Sequence, residues 1–234
     1  MPVLLRHALG YTWKAPVGMA AYVAGTMAGG MGVRALGLQF PAMPPDANPR
    51  ALAAGLYTIT NTTLTRRNID QALETVAFLH ELGLTTFAMN GMIFSGRGLK
   101  NAEAVPVEEL APVLAGVRQQ AAALGMRFLW YTPTDYCRLS PLELELGPRR
   151  CNAGEYSMCI EPNGDVLPCQ SYYVAAGNIL HDPWRRIWES ELFRGFRERV
   201  RDPRSCGLPE HCWQCPDLSI CGGGCRLERM KDEG

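Results

Sequence analysis

Nine cysteines lie between Cys137 and Cys225 of this 234-residue chain, and none precedes Cys137. Four of them form the run Cys212-x2-Cys215-x5-Cys221-x3-Cys225, whose last gap is filled by Gly222, Gly223 and Gly224. Short spacings in loops let successive thiolates converge on one compact centre. The glycines permit positive φ and let backbone N–H groups approach an inorganic sulfur without side-chain obstruction. Zinc ribbons favour two similar short pairs split by a longer spacer, which an uneven 2–5–3 spacing does not supply. A secreted disulfide framework would come as a small domain behind a signal peptide. Here the cysteines follow a long α/β-like region with no convincing signal. Metal ligation in a reducing cytoplasm is therefore the expectation.

Upstream, Cys151 and Cys169 bracket a hairpin, with Gly164 placed so that the pattern reads C-x12-G-x4-C. Cys159 lies on the first strand of that hairpin, where a plain strand thiol is one reading, because free cysteine is often buried and inert. The histidines His7, His80, His181 and His211 pair with no motif nucleophile, so none makes a case for catalysis. His211 adjoins Cys212, where metal ligation is the lesser reading. No Ser-His-Asp arrangement and no P-loop appears.

The elements that must carry these residues fall into three regions: 1–50, 51–134 and 135–234. From Leu56 the sequence alternates strand and helix. Leu56–Leu64 is rich in β-branched residues and predicts a strand. Asn68 stands three residues before Gln71 as an N-cap and its partner. Ile69, Ala72, Leu73, Val76 and Leu79 share one helical face, and Gly83 suits a C-cap. Leu84–Met89 predicts a second strand, followed by the glycine-rich stretch Gly91–Gly98. Leu110, Val113, Leu114, Val117, Ala121 and Leu124 mark a second helix closed by Gly125, with Pro112 expected in its first turn. Arg127–Tyr131 predicts a third strand. Two successive crossovers give a parallel sheet whose three strands leave exposed edges, as part of a larger barrel.

Past Thr134 the texture changes. Met158–Glu161 and Asp165–Leu167 flank Asn163-Gly164, the favoured two-residue hairpin turn. Asp182-Pro183 predicts a helix start, with Asp as cap and Pro at the first position. Trp184, Ile187, Trp188, Leu192, Phe196 and Val200 form its core stripe. Arg185, Arg186, Arg194, Arg197, Arg199, Arg201 and Arg204, mixed with acids, read as a solvated face, with docking of an acidic peptide as the alternative.

Lys plus Arg and Asp plus Glu both count 23, which removes the global basic field of nucleic-acid binders. Ala15–Val33 is uncharged but holds Pro16 and five glycines, too weakly apolar for a membrane span. Residues 1–50 are rich in Ala, Gly, Met and Pro, and the cluster Pro41, Pro44, Pro45 and Pro49 predicts a loop or extended linker. They read as a poorly ordered leader, or as sequence following a truncation or frame change.

The full cysteine pattern, with "CIEPNGDVLPCQSYY", "GNIL" before "DPWRRIW", and "CGGGCRL", resembles the SPASM domain of radical S-adenosylmethionine (SAM) enzymes. The stretch "TLTRRNIDQALETVAFLHELGL", continuing to "SGRG", resembles the second half of their barrel. The resemblance covers residues 55–226, about three-quarters of the chain. It implies an α/β fold, a partial radical SAM (β/α) barrel of about three parallel strands followed by a small cysteine-rich SPASM iron–sulfur domain. It implies one or two auxiliary [4Fe–4S] clusters. Cys151, Cys169 and Cys225, with Cys159, would hold the first. Cys212, Cys215 and Cys221 would hold the second, with Cys206 in place of a downstream ligand or an open iron site. Cys137 is left as a structural thiol.

The C-x3-C-x2-C run by which the family binds its SAM-cleaving cluster does not occur in this sequence. The glycines of "SGRG" more often form only a turn. SAM belongs to the parent family, and its cleavage is not expected from this chain alone. The resemblance implies a cytoplasmic protein acting on a peptide or protein substrate. An electron donor, and a separate chain carrying the missing half-barrel, are the further expected partners. The alternatives are a non-catalytic iron–sulfur electron-transfer or partner subunit, and a structural zinc protein.

Overall fold

A computed structural model describes residues 47–232. The expectations for the leader before residue 47 and for Ala15–Val33 lie outside the described residues. Among the described residues, no helix is long and apolar enough to cross a membrane. The chain divides into two compact units, one holding the residues up to Asn90 with Pro112–Trp130, the other Gly91–Ala111 with Tyr131 onward.

The first described element is helix α1, Ala47–Ala53. It takes in Pro49, expected in an extended linker; proline is tolerated there because the first turn has no intrahelical partner for its missing N–H. Strands β1 (Thr60–Thr63), β2 (Thr86–Asn90) and β3 (Arg127–Trp130) form a parallel sheet in the order β1-β2-β3. Thr60 pairs with Phe87, and Phe87 in turn with Phe128, whose ring stacks on it at 5.2 Å. Every residue of β2 is buried, as expected for the central strand of a parallel sheet, while β1 and β3 are only partly covered.

Asn68 does not cap the helix after β1. Its Oδ1 accepts the Thr65 N–H at 2.7 Å and its Nδ2 donates to the Thr63 carbonyl at 3.0 Å, so it ties the turn back to the strand. A single 3-10 turn, Ile69–Gln71, leads into α2, Ala72–Glu81. Ala72, Val76 and Leu79 bury themselves as the period requires. Leu73 does not; it lies over Gly116 and stays exposed, because the apolar stripe is wider than the contact beneath it. Helix α3 spans Val107–Ala123 and buries Leu110, Leu114, Val117 and Ala121. It begins early enough to place Pro112 in its interior rather than its first turn.

In the second unit, β4 (Cys159–Ile160), β5 (Asp165–Leu167) and β6 (Gly177–Asn178) form an antiparallel meander. The β4–β5 turn differs from the expected two-residue type. The Gly164 N–H donates to the Glu161 carbonyl, and positive φ falls on Gly164 (+94°) but not on Asn163. Both primed turns need positive φ at the first central residue, which Asn163 does not have, whereas Pro162 holds its own φ negative and gives a three-residue loop ending in a left-handed glycine. A Cβ at Gly164 would stand 2.7 Å from Asn178 Oδ1 and 2.8 Å from Leu180 Cγ. That crowding explains the glycine in C-x12-G-x4-C. Asn178 clamps the same turn, donating to the Asn163 carbonyl and to Asp165 Oδ1.

The helical stripe after Asp182 is two helices, α4 (Trp184–Trp188) and α5 (Glu191–Arg197). Ser190 breaks the run and caps α5 by accepting the Phe193 N–H at 3.3 Å. Pro183, not Asp182, is the N-cap of α4. Asp182 instead accepts the Asn178 N–H and pairs with Arg186. Ile187 and Phe193 pack on Val166, while Phe196 packs with Ala153 and Tyr172. Two short helices complete the unit, α6 (Leu218–Cys221) and α7 (Arg226–Asp232).

Candidate metal centre

Eight of the nine cysteines, all but Cys206, gather into two sets, each within the second unit. Cys151 and Cys169 pack against the Ala153, Tyr172 and Phe196 core. Cys225 lies in their electrostatic reach: its thiol is pushed up to about 11, by burial first and then by Cys151, with Cys169 adding to it. The Ser171 N–H donates to Cys169 Sγ at 3.4 Å, the kind of contact that favours a thiolate. Cys159, on β4, has its thiol pushed up by burial and then by Glu161, to which it donates at 3.7 Å, and it also feels Cys169.

What holds this set together is a buried charge network centred on Arg199, a residue expected on a solvated face. Arg199 is only 4% exposed. Its Nε donates to the Gly222 carbonyl at 3.0 Å, and its other nitrogens reach the carbonyls of Cys151 and Phe196 and the Glu155 carboxylate. Arg150 also pairs with Glu155 and donates to the Ser219 carbonyl at 2.9 Å. Glu155 thus sits between two arginines that strap the Cys151 segment to the segment before Cys225. Burial pulls the Arg199 pKa below its ordinary value, and Glu155 opposes that shift. The missed signal was spacing: Arg199 stands three residues after Phe196 and six after Phe193, on the buried side.

The second set surrounds a cavity of about 490 Å³ lined by Cys137, Cys212, Cys215 and Cys221, with Asp135, Tyr136 and His211 among its other walls. Cys212 and Cys221 are buried, Cys215 half-buried, and Cys137 exposed. The Tyr136 N–H donates to Cys221 Sγ at 3.4 Å. Burial pushes the Cys212 thiol up to about 11, with Asp135, Cys221 and Cys137 adding to it. Cys206, read as the substitute ligand, is not among the cavity's lining residues. It sits in a turn with its thiol raised by burial first and then by Asp202 and Glu198.

Between the sets runs the glycine triplet. Gly222, Gly223 and Gly224 have φ of +66°, +71° and +63°, which non-glycine residues adopt only at a cost. A Cβ would collide with Arg150 at the first, Leu208 at the second and Asp135 at the third. Asp135 Oδ1, lying against Gly224, is buried with no hydrogen-bond partner. Among the described residues, no three Cys, His, Asp or Glu side chains close tightly enough to share a single ion. The second set is arranged around a volume, and its soft thiolate donors suit an iron–sulfur group. The Ser95-Gly96-Arg97-Gly98 stretch forms a local 3-10 turn, Gly96–Lys100, in which the Gly98 N–H donates to the Ser95 carbonyl.

Residues 151–216 match the SPASM family, an iron–sulfur cluster-binding domain. The chain is 29% identical over 203 residues to PqqA peptide cyclase of Streptomyces rochei, covering 81% of this chain and 51% of that protein. It is 28% identical over 197 residues to the AdoMet-dependent heme synthase of Methanosarcina barkeri, covering 74% and 52% respectively. The crystal structure of Streptococcus suis SuiB bound to S-adenosylmethionine matches with a TM-score of 0.58 at 19% identity, over 80% of this chain and 44% of that one. That likeness is one of fold. The chain spans about half the length of the curated relatives it matches.

Proposed function

We propose that this chain, whose residues 151–216 belong to the SPASM family of iron–sulfur cluster-binding domains, is the auxiliary-cluster portion of a radical SAM enzyme that modifies a peptide or protein. The observation that carries this proposal is the gathering of eight cysteines into two sets within one unit of the fold, over the span that matches an iron–sulfur cluster-binding domain and its flanks. When bound, such a cluster passes single electrons or offers iron to a substrate atom. The chain's own residues do the rest. Cys151, Cys169 and Cys225, with Cys159, hold one group, and Cys212, Cys215 and Cys221 hold the other. Arg199, Arg150 and Glu155 fix the backbone that presents the first set.

The relatives' names support a peptide as substrate. An electron donor is a required partner. The sequence carries no C-x3-C-x2-C run, so the role of these residues is cluster holding rather than SAM cleavage. The place of action is the reducing cytoplasm, where free thiols persist.

Anaerobic purification and reconstitution, followed by iron, acid-labile sulfide and zinc analysis, tests the reading. Iron and sulfide in equal amounts with a brown chromophore are expected. Zinc without sulfide would instead make this a structural zinc protein. Release of 5′-deoxyadenosine from SAM by the purified chain would overturn the division of labour.

A further inference from the structure

We propose that Cys137 is the fourth thiolate of the second set, completing with Cys212, Cys215 and Cys221 a site for one [4Fe–4S] group. This rests on the iron–sulfur reading above, and goes beyond it by naming a ligand that neither the cysteine pattern nor the matched span contains.

Cys137 comes from a different part of the chain than its three companions, 75 residues before Cys212 by sequence number, yet lines the same cavity. The turn that carries it is fixed. The Arg138 and Leu139 N–H groups both donate to the Asp135 carbonyl at 2.9 Å, and the buried Thr134 hydroxyl donates to the Leu139 carbonyl at 2.8 Å. The same turn is pinned to the thiol set from its other side, since Tyr136 N–H donates to Cys221 Sγ and Cys221 Sγ lies 3.7 Å from the Thr134 carbonyl oxygen. A cysteine held this way is aimed, not free to wander.

The other polar groups on that wall are weaker claimants. Asp135 turns Oδ1 against Gly224, and a carboxylate is a harder donor than iron–sulfur clusters take by preference. His211 Nε2 lies 4.0 Å from Cys137 Sγ, where its ring can hydrogen-bond the thiolate and tune it from outside the ligand shell. Cys206 lines no part of the cavity.

Two measurements on the full chain test this. The first needs no variant. Cys137 is exposed, so iodoacetamide can reach it in the apo protein, and reconstitution with iron and sulfide should slow that labelling about tenfold, as read by mass spectrometry. The second compares Cys137→Ser with Cys206→Ser after anaerobic reconstitution. Cys137→Ser should hold about one iron fewer per chain after mild oxidation and show a [3Fe–4S] EPR signal that wild type lacks, whereas Cys206→Ser should match wild type. Labelling of Cys137 at the same rate in apo and loaded protein, or a Cys137→Ser spectrum identical to a loaded wild type, overturns the proposal and leaves the cluster reading standing. A wild-type chain that takes up no iron and sulfide removes both.

Discussion

The two thiol sets are built on different principles although they share one unit of the fold. Cys151, Cys169 and Cys225 are presented by backbone that a buried arginine–glutamate network straps together, against aromatic packing from Tyr172 and Phe196. Cys137, Cys212, Cys215 and Cys221 line a cavity between short turns, with an exposed Cys137 at one wall. The first set should therefore be pre-formed by folding. The second, open at the Cys137 wall, should gain further order from the group it binds beyond what the hydrogen bonds of the Cys137 turn already supply.

The sharpest way to break that contrast is to remove Arg199. Its guanidinium is buried and satisfies three carbonyls and a carboxylate. Arg199→Ala leaves Glu155 facing one arginine and the carbonyls with no donor, which should cost about 3–5 kcal/mol in urea unfolding. Arg199→Lys keeps the charge but loses the fork that reaches several oxygens at once, and should recover only part. Iron at the first set should fall with stability. Full stability in Arg199→Ala would show that the set does not depend on the strap.

A second measurement asks whether the two sets differ in acidity as they differ in scaffolding. Burial raises one thiol from each set, Cys225 and Cys212, to about 11. Both are held neutral in the folded apo protein at pH 7, so metal loading must expel their protons and should proceed further at pH 9 than at pH 7. The sign for apo stability follows. Below the ordinary thiol value of 9.0, folded and unfolded chains are both protonated, and the neutral thiols oppose nothing. Between that value and about 11 the unfolded chain loses protons while the folded chain keeps them, so apo stability falls as pH rises, by about 3 kcal/mol at most at Cys225 and by less at Cys212, where solvent in the cavity screens the effect. Urea midpoints of the apo chain that stay level from pH 8 to pH 11 would contradict this.

The sequence disclosed the sheet and the glycine triplet between Cys221 and Cys225 because both depend on local patterns. Parallel order follows from strand–helix alternation, and the glycine triplet follows from a conformation only glycine takes without strain. What it hid were the side chains whose partners are distant in sequence. Arg199 looks like any other arginine in an acid–base mixture until Gly222 and Cys151 are seen around it. Cys137 looks solitary because its companions begin at Cys212, and only tertiary folding brings their cavity to it. Capping was misplaced for the same reason in small. Asn68 and Asp182 have the right chemistry for caps, but a strand carbonyl and a β6 N–H offered them better partners.

The smallest effect is expected at the edge of the second set, and it completes the contrast with Arg199. Glu108 pairs with Arg138 Nε at 2.8 Å, beside the turn carrying Cys137, and Arg138 holds its carboxyl below the usual carboxylate range. More than half of the Glu108 side chain is in solvent, where screening and side-chain entropy consume most of the attraction. Glu108→Gln should therefore change the urea midpoint by no more than about 0.5 kcal/mol, and less in high salt. Iron retained at the second set should not change, because the Cys137 turn is held by its own hydrogen bonds to Asp135 and Leu139 rather than by this pair. A loss of iron in Glu108→Gln comparable to that in Cys137→Ser would mean that the exposed turn leans on α3 for its shape, and the two sets would then be equally dependent on charge.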